Sequence, residues 1–175
     1  MDNNYPVITD SGIAMAGPIA YFITWPTYGT WLPGDGRGWI EYHRGWQMPV
    51  PVLEFESKLR MAEDACTLTR NERRIVEAQV DETCSFRGWE NHATTCRSNH
   101  MHIVVGAADI NPKKIRKDIK AWCTRRLKER SDPTRENWWA ERGSIRWIWN
   151  QESLQKVVQY VMEAQDRKER DDQHT

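Results

Sequence analysis

No stretch of this chain approaches the roughly 18 consecutive apolar residues of a membrane-spanning helix, and its N-terminus has neither the basic start nor the apolar run of a secretory signal. A cytoplasmic location without a membrane partner is therefore expected. An excess of charge is missing too, because 25 Lys and Arg offset 25 Asp and Glu. That balance excludes bulk attraction to a polyanion while leaving room for a local basic patch. Cysteine is sparse: Cys66, Cys84, Cys96 and Cys123 stand apart, with no C-x-x-C pair. The spacing excludes a zinc ribbon or a disulfide framework and predicts reduced thiols in a core. Histidine is scarce too, with five in all.

Tryptophan is the residue in surplus, ten in all. Some must fill the core, and that many flat amphipathic rings also suits stacking on unpaired bases. The length is that of one domain with room for an elaborated insertion. Residues 1–17 are polar and glycine-punctuated, which predicts a flexible leader, and residues 169–175 form a charged tail. The domain between them spans 18–168.

Within it, "AYFITW" (20–25) is a β-branched and aromatic strand. The next segment, about 26–68, begins with Pro26, Gly29, Pro33, Gly34, Gly36 and Gly38, which forbid a long regular element and predict a structured loop insertion. It reads equally as an Ω-type loop packed by its own tryptophans and as a binding loop in which Arg37, beside glycine-exposed amides, meets phosphate. "RNERRIVEAQVDETCSFRG" (70–88) is helical, with Ile75, Val76, Val80 and Cys84 on one side and Gly88 as its stop. "WENHATTCR" and "HMHIVVGA" flank a tight turn at "SN" and form a hairpin. A second helix follows Pro112, with Ile115, Ile119, Trp122, Cys123 and Leu127 at amphipathic spacing. "GSIRWIWN" (143–150) alternates as a strand, and "QESLQKVVQYVMEAQDRKER" is a last helix buried through Leu154, Val157, Val158 and Val161. With the insertion set aside, the order β-α-β-β-α-β plus a C-terminal helix predicts an α+β, ferredoxin-like (RRM-like) antiparallel sheet. Its third sequential strand, which carries two histidines, lies mid-sheet, and one sheet face is left for the final helix.

The histidines stand in "RSNHMHIVVGA" (97–107). Strand alternation turns His100, His102 and Val104 to one face. Their imidazoles either sit as partly exposed polar groups on an open sheet face or converge on one cation. Tyr160, at the rim of the last helix's apolar stripe, is either a core tyrosine with a bonded hydroxyl or a nucleophile. Facing a dihistidine cation, its phenol can attack a phosphodiester. The segment 113–130 holds nine basic residues against two acids, and Lys113, Lys117, Lys120 and Lys128 fall on one helix side. Such a ridge is a solvated face or a track for a phosphate backbone.

In "NHMHIVV" the chain resembles the histidine-hydrophobic-histidine (HUH) motif of single-tyrosine HUH transposases. "TYGTWLPGDGRGW", "ETCSFRGWENHATTCRSNHMHIVV" and "SIRWIWNQESLQKVVQYVMEAQ" are similar to REP-associated tyrosine transposases, in order over roughly 18–168. The resemblance implies metal-dependent cleavage and transfer of single-stranded DNA at sites next to REP-like hairpins. His100 and His102 would be metal ligands, Mg²⁺ or Mn²⁺ the cofactor, and Tyr160 the nucleophile that retains a 5′ phosphate. It further implies association with the nucleoid, and a monomer or a homodimer. One departure concerns the residue four after the tyrosine, often Gln or Asn in related enzymes and here Ala164. Gln165, which shares the azimuth of Leu154 and Val158, is the favoured third ligand, with Glu163 the substitute. Lys113, Lys117, Lys120, Lys128 and Arg37 are the candidate DNA contacts.

Three other readings use the same residues. Hydrolases with an H-x-H-x-H triad would need a histidine where Val104 stands. A non-catalytic nucleic-acid module, stacking bases on Trp147 and Trp149, would leave the histidine pair unused. A domesticated transposase retained as a DNA-binding or repair factor has the same sequence signature as an active one.

Overall fold

Four segments rich in β-branched and aromatic residues pair into one antiparallel sheet in the computed structural model, which describes residues 17–107 and 109–172, with side chains as far as 163. The strands are β1 (Ala20–Pro26), β4 (Glu90–Cys96), β5 (His100–Gly106) and β6 (Ser144–Ile148), in the spatial order β4-β5-β1-β6. Between β1 and β4 lie β2 (Trp39–Glu41), β3 (Gly45–Gln47), α1 (Pro51–Leu59) and α2 (Arg70–Arg87); α3 (Pro112–Arg130) precedes β6 and α4 (Gln151–Asp172) follows it. This is the α+β, ferredoxin-like arrangement expected from the sequence, with the histidine strand β5 inside the sheet. The leader, residues 1–16, falls outside the described residues, and the backbone of α4 continues past residue 168 into the segment expected as a tail.

Local signals set the element ends. Thr69 and Glu72 form a reciprocal capping box at the start of α2, and Gly88 stops it in the left-handed region at φ 68°. Asn111 caps α3 ahead of Pro112 in the first turn. The insertion contains no long element, as its Gly and Pro content requires. It does fold into a small β2–β3 hairpin and the short α1, none of whose residues is buried.

The sheet is packed on both faces, which explains why β1 reads as an unbroken apolar run. Tyr21, Ile23 and Trp25 of β1 join Met101, Ile103 and Val105 of β5 against Val76, Val80 and Cys84 of α2 and Ile115, Ile119, Cys123 and Leu127 of α3. The other face is smaller. Ala20, Phe22, Ala93, Val104 and Ile148 meet Leu154 and Val161 of α4, with Val157 and Val158 at the margin. All four cysteines are buried and free. Burial pushes the thiol of Cys66 up to about 11 and that of Cys84 up to about 12.

Candidate active site

The α4 face carries the histidines because the β1–β5 register leaves no alternative. Thr24 stands opposite His102 and Phe22 opposite Val104, so Phe22, Thr24, His100 and His102 all point toward α4. Gly143 lets β6 join this edge, since a Cβ there would lie 2.2 Å from the carbonyl oxygen of Thr24. The helix is tied down on the same face by the neighbouring strand β4. Thr95, the β4 neighbour of His102, donates its buried hydroxyl to the carbonyl of Val161 at 3.0 Å. That bond fixes the helical turn that holds Tyr160.

The result is a compact set of rings. The His100 and His102 ring centroids are 4.7 Å apart at 79°. Phe22 stacks on His102 at 5.6 Å, and the Tyr160 ring stands edge-on to both, 6.0 Å from His102 and 6.2 Å from Phe22. Tyr160 is 49% exposed, so one side of its ring meets the imidazole while the rest stays open to solvent.

Each imidazole is held through Nδ1. His100 Nδ1 is hydrogen-bonded to Asn99 Oδ1 at 2.6 Å, which places the proton on Nδ1 because a carbonyl oxygen only accepts. His102 Nδ1 shares a 3.1 Å hydrogen bond with Thr24 Oγ1. Neither Nε2 has a hydrogen-bond partner among the described residues. Burial, reinforced by His100 and Arg97, lowers His102 to about 4; burial, with Arg97 and Arg37 nearby, also lowers His100. Both rings are therefore neutral at pH 7. Neutral imidazoles anchored through Nδ1 fit a divalent cation: the Nε2 lone pair of His100 is available, and that of His102 is available when His102 donates Nδ1–H to Thr24. Among the described residues no group of three or more His, Cys, Asp or Glu side chains is placed to hold a metal ion, so no described carboxylate or thiol completes the histidine pair. The side chain of Gln165 lies outside the described residues. Glu163 is exposed and accepts a hydrogen bond from Gln159 at 3.1 Å.

The remaining sequence-derived residues divide by place. Arg37 is brought beside His100, where with Thr24, Pro26, Thr30, Trp31 and Asn99 it lines a pocket of about 180 Å³. Its guanidinium is held by Asp35, through Nε to Oδ1 and Nη2 to Oδ2, each at 2.8 Å. That hydrogen bonding raises the arginine and lowers the Asp35 carboxyl. The four lysines are not brought to the site: α3 packs on the opposite sheet face. Lys120 turns inward, donating to the carbonyl of Ala140 at 2.7 Å and lying over the Trp25 ring, and burial lowers it to about 8. Lys128 is paired with Glu136. Lys113 and Lys117 are exposed, with no ion-pair partner among the described residues.

Sequence reasoning missed Phe22, Thr24, Thr95, Asn99 and Arg146 as parts of this face, whereas Trp31 belongs to the insertion whose Trp and Tyr side chains it offered for stacking on bases. Arg146 stands opposite Phe22 across the β1–β6 pairing, exposed and without an ion-pair partner among the described residues. Alternation in "SIRWIW" already separates Arg146 from Trp147, but only the strand order shows which face it joins.

No protein-family profile matches the chain, and no curated protein matches it by sequence. Solved structures do match it in fold. One is a candidate transposase from Deinococcus radiodurans R1, 12% identical, with a TM-score of 0.51 over 93% of this chain and 97% of that one. Another is a REP-associated tyrosine transposase bound to a REP hairpin, 13% identical, with a TM-score of 0.50 over 88% of this chain and 70% of that one. At these identities the likeness is one of fold.

Proposed function

We propose that this chain is a metal-dependent single-stranded DNA endonuclease and strand transferase of the single-tyrosine HUH type, acting next to DNA hairpins through a covalent 5′-phosphotyrosine. The observation that carries the reading is the Tyr160 ring 6.0 Å from His102, on a face where both imidazoles keep Nε2 uncommitted. A purely structural tyrosine gains nothing from half exposure beside two neutral histidines. A nucleophile needs both, because substrate must reach the hydroxyl. The fold shared with a hairpin-bound tyrosine transposase supports the same reading.

In the proposed step the phenolic oxygen of Tyr160 attacks the phosphorus, the bond to the 3′ oxygen breaks, and the phenol's proton ends on the departing 3′ hydroxyl. The strand keeps its 5′ phosphate as a tyrosyl ester, whose reversal by another 3′ hydroxyl rejoins DNA without a nucleoside triphosphate. A divalent cation, Mg²⁺ or Mn²⁺, held by His100 and His102 and completed by Gln165, would polarise the phosphate as a Lewis acid. Thr24 and Asn99 fix the two rings, and Thr95 fixes the helix turn bearing the nucleophile. Arg37 and Arg146 flank the site with cations suited to neighbouring phosphates. Lys113 and Lys117, on the other layer, would reach only a remote part of a bound hairpin.

The decisive experiment mixes the protein with labelled stem-loop DNA carrying single-stranded flanks, in Mn²⁺ or Mg²⁺, and looks for a denaturation-resistant adduct. Wild type is expected to form it and Tyr160→Phe to form none. An adduct that survives Tyr160→Phe, or DNA that shifts in a gel and is never retained after boiling, would overturn the assignment.

A further inference from the structure

The pocket beside His100 has a construction that cleavage alone does not require. Its walls combine the rings of Pro26, Trp31 and His100 with the Arg37 guanidinium and the Asn99 amide. Each of the last four is fixed by an internal bond. The indole N–H of Trp31 donates to the carbonyl of Gly38 at 2.8 Å, leaving the ring 43% exposed. Arg37 is tied to Asp35 and donates through Nη2 to the carbonyl of Thr30 at 2.7 Å, so that Nη1 remains without a partner among the described residues. Asn99 gives Oδ1 to His100, and its Nδ2 likewise has no partner among the described residues. The loop itself is pinned to the start of β5 by the Thr30 hydroxyl on the carbonyl of Asn99 at 3.1 Å and by the Thr27 amide on the same oxygen at 2.9 Å.

We infer that this pocket is a nucleobase subsite, seating one unpaired base of the DNA strand beside the proposed scissile phosphate. The inference rests on the nuclease reading above. A flat heterocycle stacks on Trp31, an acceptor on its edge meets Nδ2 of Asn99, and the attached phosphate meets Nη1 of Arg37. The half-neutralised guanidinium and largely ring-built walls suit such a nucleotide better than a bare anion. Asn99 gives the subsite a second role: the residue that reads the base also holds His100, so occupancy of the pocket and orientation of that imidazole share one side chain.

The test uses the full chain as Tyr160→Phe, so that DNA stays intact, with stem-loop oligonucleotides whose randomised single-stranded flanks carry 5-iodouracil. Photocrosslinks mapped by mass spectrometry are expected at Trp31. An abasic nucleotide placed at the crosslinked position is expected to weaken binding about tenfold in the presence of Trp31 and to cost nothing extra in a Trp31→Ala background. Arg37→Gln should keep the crosslink and lower the salt dependence of binding. Crosslinks confined to other residues, or an abasic penalty equal in both backgrounds, would overturn the subsite and leave the nuclease reading standing. Failure of the protein to bind any single-stranded DNA would overturn both. If Trp31→Ala does not fold, the crosslink map alone decides.

Discussion

The two faces of the sheet are built from the same strands to opposite ends. Toward α2 and α3, Ile23, Trp25, Met101, Ile103 and Val105 are fully buried and the buried thiols are held protonated. Toward α4, one residue along the same strands, the side chains are Phe22, Thr24, His100 and His102, and a half-exposed tyrosine leans over them. Burial on the first face adds apolar contact. On the second, outside the small apolar cluster around Phe22 and Val161, burial keeps two imidazoles neutral and oriented. Stability and proposed chemistry are thus separated by the period of a β-strand, and each face can be altered with limited effect on the other.

The largest effects should fall on one face at a time. Tyr160→Phe is expected to abolish the DNA adduct while leaving the urea midpoint of unfolding within the small range typical of exposed positions. Ile103→Ala, on the closed face, should do the reverse. It should cost about 2–5 kcal/mol of stability, read from denaturant melts, and leave adduct formation by the remaining folded protein intact. A Tyr160→Phe protein that melts as early as Ile103→Ala would break the division. Next in size is Thr24→Val, which keeps the shape of β1 and removes the bond to His102 Nδ1. Titration with Mn²⁺ should show about 10–100-fold weaker binding, and unchanged affinity would mean that the threonine does not orient the ring.

The faces should also differ in pH response. His102 falls from the ordinary value near 6.5 to about 4 in the folded protein because it is buried beside His100 and Arg97. Between pH 6.5 and about 4 the unfolded chain binds a proton at this position and the folded chain does not, so the histidine's contribution is fully present above pH 6.5 and declines as pH falls toward 4. The buried thiols and Lys120 of the closed face are silent there, since the thiols titrate only in strongly alkaline solution and Lys120 at about 8. With chelator present, the urea midpoint of wild type should drop over this window more steeply than that of His102→Gln, and parallel curves would overturn the assignment.

The closed face was legible in the sequence because hydrophobic period and capping chemistry are local. Helices α2 and α3, their stop and start signals at Gly88 and Pro112, and all four strands of the main sheet follow from those signals. The H-x-H pair and Tyr160 were legible as residues of the right kind. Their company was not: Phe22, Thr24 and Arg146 come to the site through the pairings of β1 with β5 and β6, between segments 78 residues apart in the case of Thr24 and His102. The lysine ridge shows the converse error. Helical spacing correctly aligned four lysines of α3, but tertiary contacts turned Lys120 onto a carbonyl and paired Lys128 with Glu136. In the insertion, proline and glycine announced the turns, while the short β2–β3 pairing is too brief to leave a periodic trace.

The smallest effect compares cations across the sheet. Affinity for a single strand falls with salt by a slope of about 0.7 per phosphate contact. Arg146, opposite Phe22 on the α4 face, should supply one such contact, so Arg146→Gln is expected to reduce the slope by about 0.7 with little change in melting behaviour. Lys113 and Lys117 lie on the α2–α3 layer, so the double reversal Lys113→Glu with Lys117→Glu should leave the single-strand slope nearly unchanged and alter binding only when a long hairpin stem is attached. The comparison holds because both variants alter exposed cations without ion-pair partners among the described residues, so loss of an internal salt bridge confounds neither. Equal slopes for wild type and Arg146→Gln, with a reduced slope for the lysine double variant, would place the strand on the other side of the sheet and separate DNA binding from the histidine–tyrosine face.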